Sequence, residues 1–229
     1  MDGILLVNKP AGMTSHDVVN RMRKILHTKK VGHCGTLDPD ATGVLVLCIG
    51  KATKALQFLM SETKVYQATL FLGTATDTYD SSGQIMEEKA FHGVRDVEET
   101  LQSFIGKQQQ IPPIYSAIKV HGKKLYEYAR NQEHVDIQPR TIMIEKIELI
   151  SQQDQSITFQ VKCSKGTYIR SLCVDIGKKL GYPAHMTHLI RLASGEFYLE
   201  DCYSLEDIEQ GHYQFMSLED AFQHFEHYY

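Results

Sequence analysis

"GHCGTLDPDATG", residues 32–43, sets three glycines, one proline and two acidic residues among twelve positions, with a single histidine and a single cysteine. Gly32, Gly35 and Gly43 permit backbone angles or close approaches that a side chain would forbid. Pro39 fixes its own φ and biases Asp38 away from helix. The stretch reads as a tight bend that aims one carboxylate, that of Asp38. Taken alone, it is equally well described as an Asx turn in a surface loop.

A carboxylate can serve as metal ligand, general base or covalent nucleophile. No histidine cluster or regular spacing of acids accompanies Asp38, which disfavours a metal. A glycosidase needs a second carboxyl across the scissile bond. Asp40 lies two positions on, but nothing in the sequence turns it toward the same substrate. Two other glycine-rich stretches are decoys. From Gly43 to Gly50 and Lys51 the spacing is too long for a P-loop, and Ala52 stands where Ser or Thr is required. "DTYDSSG" at 77–83 places its acids three apart, where a calcium loop alternates oxygen ligands, so Asp77 and Asp80 read as turn formers.

Outward from the bend, "ILLV" at 4–7 predicts a strand and "NKPAG" a turn. Thr14 and Asp17 resemble a capping box, and Val18, Val19, Met22, Ile25 and Leu26 recur at helical spacing up to about His27. "VLVLCIG" is an apolar run of strand length, and "KATKALQFLM" looks helical. "KVYQATLFLG" alternates like a strand, followed by a polar loop "TATDTYDSSG" and a short "QIMEE". A helix over 96–105, the proline-interrupted "QQQIPPIYSAIKVHG" and "KKLYEYAR" make up the middle. "RTIMIEKIELI" and "SITFQVKC" predict strands about a turn at Asp154, and "GTYIRSLCVDIGKKLG" a helix closed by Gly181. Without a regular βαβ rhythm, the pattern predicts an α+β fold with a mixed, mainly antiparallel sheet flanked by helices.

A chain of 229 residues, 42% hydrophobic, can bury a core of one sizeable domain. The first residues carry no leader pattern, and no apolar run approaches the ~20 residues of a membrane span, so a soluble cytoplasmic protein is expected. Five isolated cysteines, an odd number with no CxxC, read as small buried thiols rather than a disulfide framework or zinc site. The net charge of −4 argues at first against a nucleic-acid partner. Its distribution reverses that. Residues 196–229 hold nine acids and no Lys or Arg, which leaves +5 on residues 1–195 and +4 on residues 1–54. The expected organisation is a domain over 1–200 and a short acidic helical appendage over 201–229, with two "SLED" caps.

At every fixed position "GHCGTLDPDATG" resembles the motif G-H-x-G-x-L-D-P-x-A-x-G of the TruB-type tRNA pseudouridine synthases. "DGILLVNKPAGMTS", "KVYQATLFLGTATDTYDSSG", "IPPIYSAIKVHGKKLYEYAR" and "CSKGTYIRSLCVDIG" resemble further blocks of that family in its usual order, covering roughly residues 2–200. The resemblance implies the pseudouridine synthase catalytic fold and isomerisation of uridine 55 in the T-loop of tRNA, without cofactor or metal. It makes Asp38 the nucleophile, attacking either carbon 6 of the ring or the anomeric carbon of the ribose. An aspartate at the ordinary value near 4 is ionised at neutral pH and needs positioning and a cation.

By the same resemblance, Arg170 pairs with that aspartate, and Tyr66 stacks on the target base and helps move its carbon 5 proton. The target must be flipped out of the T-loop. His33 matches the residue that fills the vacated space, and Asp80 one that contacts the extruded nucleotides. Tyr168 and Ile169 are expected to wall the uracil pocket. Lys9, Lys119, Lys123, Lys124 and Arg130, interleaved with Tyr115, Tyr126 and Tyr128, suit phosphate contact and base stacking. The expected partner is the tRNA T-arm stem-loop, bound by a monomer.

Two departures from the family stand out. Asp40 replaces the apolar residue usual after D-P and is expected to face outward. The chain stops at Tyr229, where the family usually continues into a PUA-type RNA-binding domain, expected to be absent here. Two other functions compete: a tRNA chaperone or RNA-binding module with the same fold, and the guide-RNA-dependent pseudouridine synthase relative.

Overall fold

The structure is a computed structural model that describes residues 2–56 and 63–223. Its elements run β1 (Gly3–Lys9), α1 (Ser15–Ile25), β2 (Val31–Cys34), β3 (Thr42–Ile49), a 3-10 turn (Gly50–Ala55), β4 (Lys64–Leu72), β5 (Thr74–Thr76) and β6 (Ile85–Glu88). Then follow α2 (Val97–Gln102), β7 (Gly106–Gln110), β8 (Lys119–Val120), β9 (Lys123–Lys124), α3 (Leu125–Arg130), β10 (Arg140–Gln153) and β11 (Ser156–Cys163). The chain continues through α4 (Ile169–Lys179), β12 (Ala184–Ser194), β13 (Phe197–Tyr198), α5 (Leu205–Glu209) and α6 (Leu218–Gln223). Among the described residues, hydrogen bonding orders the main strands β1-β3-β12-β4-β11-β10-β7, with β2 added to β3 and β13 to β12. The sheet is mixed: β3 is antiparallel to β1 and β2 but parallel to β12. The expected fold class is the observed one.

The chain divides into two compact units, Met1–Tyr66 with Leu189–Tyr229, and Gln67–His188. In the first, the continuous apolar runs of β1 and β3 are explained by burial on both faces. Leu5, Val7, Leu45, Leu47 and Ile49 pack under Val18, Val19 and Met22 of α1, while Ile4, Leu6, Val44, Val46 and Cys48 pack against Ala52, Phe197 and Ala221. Helix α1 opens with the predicted capping box: the Asp17 N–H donates to Thr14 Oγ1 at 3.0 Å, and the Thr14 N–H to Asp17 Oδ2 at 2.9 Å. The acidic segment expected as an appendage contributes to this core in its described part, because Leu205 and Ile208 of α5 are buried among the residues of α1 and β3. Residues 224–229 of that segment lie outside the described residues.

In the second unit β10 and β11 form a hairpin about Asp154, whose φ is 49°. A register shift between Ile144 and Lys146 moves the buried face of β10 from Ile142 and Ile144 to Ile147, and a second shift follows between Leu149 and Ser151. Helix α4 buries Ile169, Leu172, Cys173 and Ile176, and Gly181 at φ 84° ends it as predicted. Two expectations change. The loop after β4 begins with β5, paired to β6. The helix expected over 51–60 is a 3-10 turn over Gly50–Ala55, and its later part falls outside the described residues.

Candidate active site

In the first unit, the far edge of β3 changes partner. Strand β2 occupies it from Val46 to Ile49, and β12 from Thr42 to Gly43. The chain between Cys34 and Thr42, which carries Asp38, leaves the sheet at that break. Gly35, at φ 81°, supplies the turn.

The backbone on both sides of Asp38 is held. Before it, the Leu37 N–H donates to Ser15 Oγ at 2.9 Å, and the Ser15 hydroxyl donates back to the Leu37 carbonyl at 3.2 Å. After it, the Pro39 carbonyl accepts from the Gly12 N–H at 3.0 Å and from Lys9 Nζ at 2.8 Å. The Asp38 carbonyl accepts from the Ala41 N–H at 3.1 Å. The Asp38 side chain itself is half-buried, and Asp40 is exposed, as expected. A carboxylate on so constrained a backbone meets the main demand of a nucleophile, a fixed position.

Lys9 corrects an expectation. It is fully buried, with its ammonium donating to the carbonyls of Pro10, Met13 and Pro39 at 2.8, 2.6 and 2.8 Å, so it anchors the loop instead of contacting phosphate. Burial lowers its pKa from the ordinary value, and the nearby Asp40 and Asp38 charges oppose that shift. Arg191, which the sequence reading did not single out, is 1% exposed and donates Nε to the Val44 carbonyl at 2.7 Å and Nη2 to the Gly35 carbonyl at 3.1 Å.

His33 lies on β2 opposite Leu47, and burial pulls its pKa below the ordinary value. Tyr66 shares the buried face of β4 with Lys64, Ala68, Leu70 and Leu72. Cys34 and Cys48 are buried with their sulfurs 3.8 Å apart, and Cys163 and Cys173 are buried too, whereas Cys202 is half-buried with its thiol pushed up to about 12, chiefly by burial.

In the second unit, Arg170 is buried in the first turn of α4. It donates Nη1 to the Thr78 carbonyl at 3.1 Å and Nη2 to the Tyr115 carbonyl at 3.0 Å, and Nη1 lies 3.8 Å from Asp80 Oδ2. Asp80 is itself oriented: its Oδ1 accepts from the Thr78 and Ser82 hydroxyls at 2.7 and 2.6 Å. The start of α4 is set by Gln110, a buried residue missed in the sequence. Its side-chain amide receives the Tyr168 N–H at 2.8 Å and donates to the Tyr168 carbonyl at 3.0 Å. This fixes Tyr168 and Ile169 next to Arg170.

The remaining cations cluster on β8, β9 and α3. Lys119 and Arg130 are exposed. Lys123 lies 4.5 Å from the Tyr128 ring centroid and pairs with Glu133 at 2.6 Å. Lys124 and Arg130 lie 5.4 and 5.3 Å from the Tyr126 ring centroid. Lys123, Lys124 and Arg130 thus engage Tyr126 and Tyr128. Tyr115 donates its hydroxyl to Asp77 Oδ2 at 3.4 Å. Asp77 and Asp80 act as turn formers, Asp77 Oδ1 receiving the Gln84 N–H at 2.8 Å. Among the described residues no group of three or more His, Cys, Asp or Glu could hold a metal ion, and no helix is long and apolar enough to cross a membrane.

Comparison with known proteins matches residues 23–169 to the TruB family pseudouridylate synthase N-terminal domain, and residues 170–225 to the tRNA pseudouridylate synthase B C-terminal domain. The chain is 52% identical over 219 residues to tRNA pseudouridine synthase B of Bacillus cereus, covering 92% of this chain and 71% of that protein. It is 52% identical over 217 residues to the protein of the same name from Bacillus subtilis, covering 91% and 70%. Among solved structures, a chain of a Cbf5-Nop10-Gar1 complex superposes with a TM-score of 0.71 at 33% identity, covering 91% of this chain. This chain spans about half, 54%, of that one. The motif about Asp38, the two domain matches and these identities agree, and the chain belongs to the TruB family of pseudouridylate synthases.

Proposed function

We propose that the chain isomerises uridine 55 in the T-loop of tRNA to pseudouridine, acting as a cytoplasmic monomer with Asp38 as the nucleophile. The observation that carries this reading is the clamped backbone on both sides of Asp38, within a motif that matches the family at every fixed position. The net reaction breaks the bond from N1 of uracil to the ribose and forms one from carbon 5. The carbon 5 proton is lost, and N1 gains a proton. Nothing is oxidised, so a carboxylate that adds to carbon 6 or to the anomeric carbon, and is released again, can serve as the covalent catalyst.

Arg170 would keep that carboxylate ionised and oriented, and Tyr66 would stack on the base and assist removal of the carbon 5 proton. Flipping the uridine costs a few kcal/mol. His33 filling the vacated space and Asp80 touching the extruded nucleotides would offset part of it. Tyr168 and Ile169 would wall the base, while Lys119, Lys123, Lys124 and Arg130 supply phosphate contacts. The 52% identity to proteins named tRNA pseudouridine synthase B supports a tRNA substrate.

The test is to incubate the purified chain with a tRNA transcript and map pseudouridine by mass spectrometry of nuclease fragments. Modification confined to position 55, and also obtained on a bare T-arm stem-loop, is expected. Modification of another arm, or activity that requires an added guide RNA, contradicts the reading.

A further inference from the structure

Arg191 is one of the largest fully buried side chains in the protein, and its guanidinium lies in the first unit at the break along the edge of β3. Strand β12 pairs with β3 at Thr42 and Gly43, and β2 pairs with it from Val46 onward. The Val44 carbonyl falls between the two partners, and the Gly35 carbonyl lies one residue past the end of β2. Arg191 donates to both, at 2.7 and 3.1 Å. These two carbonyls flank the segment 36–43, so one rigid fork joins the start of the Asp38 loop to its return into the sheet. Close approach is built in on both sides. A Cβ on Gly43 would overlap the Arg191 backbone, and one on Gly35 would stand 3.4 Å from Arg191 Nη1.

We infer that Arg191 is a positioning residue for the reaction, closing the Asp38 loop at both ends so that its carboxylate meets the substrate in one place. This rests on the proposed role of Asp38 as nucleophile. RNA affinity is spread over many phosphate and sugar contacts, whereas covalent attack depends on one side chain. A misplacement of about 1 Å costs on the order of 100-fold in rate. Loss of Arg191 therefore slows the chemical step and leaves RNA binding nearly unchanged. Lysine at this position keeps a positive charge but lacks the planar fork that spans two carbonyls.

The experiment measures single-turnover rates and tRNA dissociation constants for wild type, Arg191→Met and Arg191→Lys, well below each melting temperature and corrected for folded fraction. The expected result is a rate about 100-fold lower for Arg191→Met, an intermediate rate for Arg191→Lys, and dissociation constants within about threefold of wild type. A purely structural role moves the melting temperature but not the rate per folded molecule, and that result overturns the inference. So does a loss of affinity that matches the loss of rate. Should Arg191→Met not fold, Arg191→Lys decides: a wild-type rate overturns the inference, and a reduced rate with unchanged affinity supports it. An inactive wild type would instead remove the proposed function itself.

Discussion

Lys9 Nζ donates to the carbonyl of Pro39 at 2.8 Å, joining the end of β1 to the residue that follows Asp38, thirty positions along the chain. The same ammonium serves Pro10 and Met13, so one buried cation fixes both the turn after β1 and the far side of the Asp38 loop. A charged donor to a carbonyl is worth ~1.5–3 kcal/mol, and an abandoned buried acceptor costs ~1–3 kcal/mol. Lys9→Met is expected to lose roughly 3 kcal/mol of stability in urea unfolding, with turnover falling further than tRNA affinity. Wild-type stability and turnover in that variant would contradict the clamp.

Arg170 holds its place through two carbonyls on separate loops, those of Thr78 and Tyr115. Arg170→Lys keeps the charge but lacks the planar fork that serves these two carbonyls. Its single-turnover rate is expected to fall on the order of 100-fold while tRNA binding, measured by filter retention, changes little. A larger loss in binding than in rate would move Arg170 from the reaction to substrate capture.

His33 is held below its ordinary value of 6.5 by burial. In the window between the folded value and 6.5 the unfolded chain binds more protons than the folded one, so stability declines as pH falls through that window and is fully present above it. Thermal melts from pH 7.5 to 5.5 should show a falling midpoint, and His33→Asn should flatten that decline. An unchanged slope in the variant would show that His33 does not contribute.

Gln110 makes both bonds of its side-chain amide to the backbone of Tyr168. Gln110→Ala leaves that N–H and carbonyl without these partners, and a destabilisation of about 2 kcal/mol is expected. Hydrogen exchange at the first turn of α4 should rise in parallel. Exchange that rises only through global unfolding would contradict a local anchoring role.

Much of this was legible in the amino-acid sequence because it is written in local patterns. The glycines and proline about Asp38 and the Thr14 and Asp17 cap act within a few residues. So does the Asp154 turn. Burial of β1 and β3 on both faces shows as unbroken apolar runs. Strands β2 and β12 lack such a pattern, since "VGHC" is four residues long and "AHMTHLIRLAS" mixes polar and apolar residues without clean alternation. Gln110 and Arg191 are not legible in the sequence, and Lys9 reads there as a phosphate contact, for another reason. Long polar side chains are usually exposed, and each of these three meets backbone groups of a distant segment: Pro39 for Lys9, Tyr168 for Gln110, and Gly35 and Val44 for Arg191. Composition and spacing carry no trace of such partners.

The role of Asp38 as nucleophile is tested most directly by tritium release from tRNA labelled at carbon 5 of uridine, comparing wild type with Asp38→Asn. Wild type is expected to release the label from one uridine per tRNA, while Asp38→Asn releases none yet binds the same tRNA with comparable affinity. Equal release from both proteins would contradict that role.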